Sequence, residues 1–126
     1  PTGSPSDFEL QILGVLWSHG PRNVRQVMVA LPDKKKRAYT SVLSVLQVME
    51  RKGLVAHRVV GQTNVYRARV TEGKTLQTVL GRLVTHVFGG RPAAAVQQLL
   101  RQGDMAPADV AEIRQILDDF SGQKGD

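Results

Sequence analysis

RAYTSVLSVLQVMERKGLVAHRVVGQTNVYRARV, residues 37–70, holds the densest pattern in this chain. Val42, Leu43, Leu46 and Met49 recur at three- and four-residue steps, which places them on one side of an α-helix. Thr40, Ser41, Ser44, Gln47 and Arg51 fall on the other side as hydroxyls, an amide and a long cation. Lys52-Gly53 stops the helix, because glycine tolerates the left-handed conformation that closes a helix C-terminus. Leu54–Val60 and Asn64–Val70 read as two strands joined at Gly61-Gln62-Thr63, with Arg58, Arg67 and Arg69 along them. A helix with a polar face followed by a basic ribbon is the outline of a winged helix-turn-helix. Short polar groups on such a helix suit the base edges on the floor of a DNA major groove.

The charge distribution points the same way. Residues 1–71 carry 11 Lys/Arg against 4 Asp/Glu, whereas residues 72–126 carry 6 against 7, so the net +6 sits wholly in the first part. That part is built to lie beside a polyanion. Nucleic acid fits better than a membrane surface, since no long apolar run or Trp/Phe-rich amphipathic helix accompanies the charge. At 126 residues with 41% hydrophobic content, the chain suits one domain or a small domain with an appendage. It has no cysteine, which excludes disulfides, thiolate metal sites and a Cys nucleophile. Neither a signal peptide nor a membrane span is expected, and a cytoplasmic location is.

Working upstream, Ser6-Asp7-Phe8-Glu9 fits a capping box that opens a first helix whose apolar stripe is Phe8, Ile12, Leu13, Val15, Leu16 and Trp17, ended by Gly20-Pro21. Trp17 reads as a core anchor. Asn23 caps a second helix, with Gln26 at its third position and Val24, Val27, Met28 and Leu31 inward, and Pro32 stops it. Residues 1–5, Pro-Thr-Gly-Ser-Pro, read as a disordered leader or a cloning remnant. Downstream, the helical pattern returns in three short amphipathic helices. The first carries Leu76, Val79, Leu80, Leu83, Val84, Val87 and Phe88, and Gly89-Gly90 breaks it. Pro92 opens the second, with Val96, Leu99 and Leu100; Pro107 opens the third, with Val110, Ile113, Ile116, Leu117 and Phe120. Three such helices make a poor independent core, so their apolar faces are expected to complete each other across a two-fold axis. The expected layout is therefore a winged-helix DNA-binding domain over 6–71, a helical dimerisation region over 72–120 and a flexible tail over 121–126. The fold class is mainly α with a small β-ribbon.

These blocks resemble the penicillinase-repressor family of the BlaI/MecI/CopY type, over about Ser6 to Phe120. The likeness rests on Ser6-Asp7, Glu9, Ile12-Leu13 and Leu16-Trp17, then on Gly20-Pro21, Val24-Arg25, Val27 and Ala30-Leu31-Pro32. It continues through Ala38-Tyr39-Thr40-Ser41-Val42-Leu43, Leu46, Met49 and Lys52-Gly53-Leu54-Val55. Gly61 with Val65-Tyr66-Arg67, and Phe88-Gly89-Gly90, complete the series. The resemblance implies a homodimeric repressor that occupies a palindromic double-stranded DNA operator, with antibiotic resistance as the setting and a sensor protease as one route of release. Three positions depart from the family pattern. Val48 and Gln62 stand where the family usually has arginine, and Gln98-Leu99 stands at the Asn-Phe bond that is cleaved in several members. The cysteine motif of copper-sensing members is absent.

The residues expected at DNA are Arg25, Arg37, Tyr39, Thr40, Ser41, Ser44, Gln47, Arg51, Arg58, Gln62 and Thr63. Lys34, Lys35 and Lys36 lie where phosphates would pass, and Arg67 and Arg69 are left to solvent. The dimer seam is assigned to Leu76, Val79, Leu80, Leu83, Val87, Phe88, Val96, Leu99, Leu100, Ile113 and Leu117. No cofactor or metal is expected: His19, His57 and His86 are far apart, and no nucleophile motif or phosphate loop occurs. The chain is not expected to be an enzyme. Two rival readings stay open at this level, namely a winged helix that binds an acidic protein and a regulator that senses a small molecule directly.

Overall fold

The computed structural model describes residues 4–101 and 103–124. In chain order the elements are α1 (Asp7–His19), β1 (Arg22–Asn23), α2 (Val24–Ala30), α3 (Tyr39–Arg51), β2 (Val55–Val60), β3 (Thr63–Ala68), α4 (Glu72–His86), α5 (Pro92–Arg101) and α6 (Pro107–Lys124). The strands form one antiparallel sheet in the order β1-β3-β2. Helix-turn-helix α2–α3 against a β2–β3 wing makes this a winged helix.

Local chemistry sets most of the element ends. Ser6 and Glu9 form the expected capping box: the Glu9 amide donates to Ser6 Oγ at 3.2 Å and the Ser6 amide to Glu9 Oε1 at 2.9 Å. Asn23 and Gln26 repeat it on α2 at 2.8 and 2.9 Å. Gly53 takes φ +83 just past α3, the left-handed turn that the Lys-Gly stop requires. Val60 pairs with Thr63, so the wing turns on two residues, and Gly61 at φ +64 leads, as in a type II′ turn. The strands are thus shorter than the expected Leu54–Val60 and Asn64–Val70.

Two differences from the sequence reading concern boundaries. The chain divides into a unit through Arg82 and a second unit from Leu83, inside α4, whereas residue 71 was the expected limit. Helix α6 also runs through Lys124, over residues 121–124 that were expected to be a flexible tail. Of the expected leader, residues 1–3 lie outside the described residues, as do 125–126 of the tail.

The first unit has a true core. Ile12, Leu13, Val27, Val42, Leu46, Met49 and Val55 are fully excluded from solvent, with Tyr66 and Leu54 close behind. Each such side chain contributes about 1.5–3 kcal/mol by leaving water. Trp17 is half-buried against this core, and its ring N–H donates to the Val70 carbonyl at 2.9 Å, fixing the end of α1 to the foot of the wing. The second unit differs. No residue of α5 is buried, and Leu83, Val87, Leu99, Ile116 and Leu117 are between 43% and 65% exposed. No described helix is long and apolar enough to cross a membrane.

Candidate nucleic-acid interface

Helix α3 exposes the face expected to read DNA. Its core side is Val42, Leu46 and Met49, all buried, and that choice turns Thr40, Ser41, Ser44, Gln47 and Arg51 outward, all exposed. Val48 is half-buried between the two faces. At the start of α3, Ala38 supplies no side-chain cap, so the first-turn amides are left without that partner. A phosphate oxygen is a suitable acceptor there.

The wing tip, the start of α2 and the start of α3 meet around a depression of about 230 Å³, which brings Arg25, Tyr39, Gln62 and Thr63 together. The guanidinium of Arg25 stands 4.9 Å from the centre of the Tyr39 ring, which orients the cation without neutralising it. Lys34, Lys35 and Lys36 are exposed just before α3, and none is in an ion pair among the described residues. The turn that presents them is shaped by Asp33, which accepts from the Lys35 amide at 3.2 Å beside Lys34 at φ +60.

Arg37 is placed otherwise than the sequence reading had it. Both terminal nitrogens are bound to Asp33, at 2.7 and 2.6 Å, and the guanidinium lies 4.0 Å over the Phe8 ring. Hydrogen bonding to Arg37 holds the Asp33 carboxyl well below the usual carboxylate range, although desolvation opposes it, and in turn raises the guanidinium. Arg37 therefore shapes the turn, and the two N–H groups it gives Asp33 are spent there. Arg58 differs too. Register puts Arg58 opposite Val65 and Arg67 opposite Ala56, so both side chains lie on the sheet face away from buried Tyr66, as diagonal neighbours. The sequence reading had separated these two arginines.

Two ties went unnoticed in the sequence. Glu50, in the last turn of α3, accepts from the His57 amide at 3.3 Å and bonds the His57 Nδ1 at 2.7 Å, locking reading helix to wing. The His57 and Tyr66 rings follow at 5.3 Å, and burial, helped by the Glu50 charge, pushes the Tyr66 hydroxyl above its usual value. The second tie is Glu9, only 4% exposed, which accepts from Lys52 Nζ at 2.8 and 3.1 Å. Burial alone raises its carboxyl, but the Lys52 ammonium and the Ser6 amide outweigh that and leave it lowered. Glu9 thus caps α1 and anchors the end of α3. Its signal was legible as a capping box, but Lys52 lies 43 residues away.

With this geometry in place, residues 5–119 match the sequence profile of the penicillinase repressor family. The chain belongs to the penicillinase repressor family. It is similar to the penicillinase repressor of Bacillus licheniformis, at 22% identity over 94% of this chain and 93% of that protein. It is 33% identical to the transcriptional regulator BlaI of Mycobacterium tuberculosis, over 77% of this chain and 72% of that one. Membership in the penicillinase repressor family makes the protein a DNA-binding transcriptional repressor and not an enzyme. The exposed face of α3 and the cations around it are where the sequence reading expects DNA.

Proposed function

We propose that the protein works as a homodimer on a palindromic operator, each protomer laying α3 in the major groove and its wing on the backbone or minor groove. The observation that carries this is the surface of α3: Thr40, Ser44 and Gln47 are exposed on one line, with the exposed Lys34–Lys36 run just before the helix and the Arg25, Tyr39, Gln62, Thr63 cluster at its start. Polar groups on the helix reach base edges, while the flanking cations meet phosphates and carry no sequence information. The apolar seam residues support pairing. Leu76, Leu80, Leu83, Val87, Val96, Leu99, Leu100 and Leu117 are 39–65% exposed in the single chain, and Val79, Phe88 and Ile113 are half-buried. Pairing of these faces sets two reading helices about 34 Å apart, one turn of duplex. A signal then releases the operator, and with Gln98-Leu99 in place of the Asn-Phe bond a sensor protease would have to cut elsewhere or with another specificity.

Footprinting on the DNA upstream of the protein's own gene tests the reading. A protected palindrome with half-sites about one helical turn apart is expected. Protection indifferent to sequence, or affinity that is flat with salt, refutes it and favours a winged helix that binds an acidic protein.

A further inference from the structure

A second cavity, of about 500 Å³, lies at the foot of the wing, entirely within the first unit and away from α3. Its apolar wall is Leu54 and Val70, and Arg69, Lys74 and Arg82 stand around it. No carboxylate of the described residues lines it, and none of the three cations is in an ion pair among them. Ser4, Pro5, Thr71, Thr75 and Thr78 make up the rest of the lining, and Thr75 is the buried one among them. It is only 8% exposed, and its hydroxyl has no hydrogen-bond partner among the described residues, in contrast to Thr78, whose hydroxyl is spent on the Lys74 carbonyl. That hydroxyl opens onto the cavity, where a ligand oxygen would take the place of water. The size and the mostly apolar wall with a few convergent polar groups are those of a small-molecule site.

We infer that this cavity binds a small organic anion, with a carboxylate or phosphate head on the three cations and the Thr75 hydroxyl and an apolar body against Leu54 and Val70. The site is independent of the DNA surface. Lys74, Thr75 and Arg82 belong to α4, the helix that carries the chain from the first unit into the second, so an occupant rests on the segment that joins reader and seam.

The test is a titration of the ¹⁵N-labelled whole chain with phenyl phosphate and with benzoate, and separately with inorganic phosphate and benzyl alcohol, which are head and body alone. Saturable amide shifts confined to residues 54 and 69–82 are expected for at least one of the two aromatic anions, and the tighter one identifies the head. Inorganic phosphate and benzyl alcohol should bind at least tenfold more weakly. The double variant Lys74→Gln, Arg82→Gln should weaken the aromatic anion about tenfold, and Thr75→Val several-fold, with unchanged urea midpoints and unchanged operator affinity without probe. The proposal is overturned if neither aromatic anion gives a saturable shift, if inorganic phosphate equals phenyl phosphate, if the shifts fall on α3, α5 or α6, or if both variants bind as the parent does.

Discussion

Thr40 and Gln47 stand exposed seven residues apart on α3, two turns along one line, which is the reach of a few adjacent base pairs. Replacing either by Ala should lose about 1–3 kcal/mol of discrimination between operator and single-base variants for each specific contact removed, read by anisotropy at fixed salt. Lys35→Ala, by contrast, should weaken all DNA alike and flatten the salt dependence. Arg37 shows what one side chain conceals in sequence. Its partner Asp33 is only four residues back, yet a basic run of four reads as a single phosphate-binding stretch, and the Phe8 ring that holds its fourth member comes from another helix. Arg37→Lys should therefore lower thermal stability and operator affinity together, and Asp33→Ala combined with it should add little, since both break one fork.

Among the elements, the buried Glu9–Lys52 bridge couples α1 to the end of α3 and gives stability a pH dependence. The folded carboxyl lies below its ordinary value, so the stabilisation is complete above the unfolded value near 4.5 and drains away as pH falls through the lowered folded value. Urea midpoints measured from pH 6 down to pH 3 should fall steeply in the parent and less so in Glu9→Gln. Lys52→Met strands the carboxylate. One-sided loss of a buried pair costs about 3–5 kcal/mol, and the partial exposure of Lys52 puts this one at the low end. Elements whose signals lie within a turn or two were legible in the sequence: both capping boxes, Gly53, Gly61 and the prolines that open α5 and α6. Strand β1 was not, because two residues carry no period and its existence depends on pairing Arg22 with Tyr66 far along the chain. The same holds for the ends of the first unit: α4 looks uniformly amphipathic, and only the burial of Thr75 shows that its first turns pack as part of the winged unit.

For the whole molecule, the contrast between a closed core before residue 82 and exposed apolar faces beyond it makes association measurable. Sedimentation should show a dimer, and Leu83→Asp with Leu99→Asp should give monomers whose winged unit stays folded while operator affinity collapses. Between 50 and 200 mM salt, specific affinity of the parent should drop by about 10³–10⁵ if six to ten phosphates are neutralised per dimer, a slope of about −0.9 per contact. A shallower slope would point to fewer contacts than Arg25, Lys34–Lys36 and the wing provide, in keeping with neutral Val48 and Gln62.

The bond from the Trp17 ring to the Val70 carbonyl bears on the order in which a nascent chain matures. Every buried hydrophobic residue among those described lies between Ile12 and Tyr66, and that bond fastens the first helix to the last piece of wing, so the core of the reader can close before the first turns of α4 pack onto it. The faces beyond residue 82 emerge later, and at roughly 5–20 residues per second the stretch 83–124 takes on the order of 2–8 s to follow. During those seconds the chain presents a cationic unit without the faces proposed as its seam. If the proposed dimer is the working form, one-handed, weak DNA contact precedes the symmetric grip, and neighbouring chains on one message are each other's nearest source of a second half.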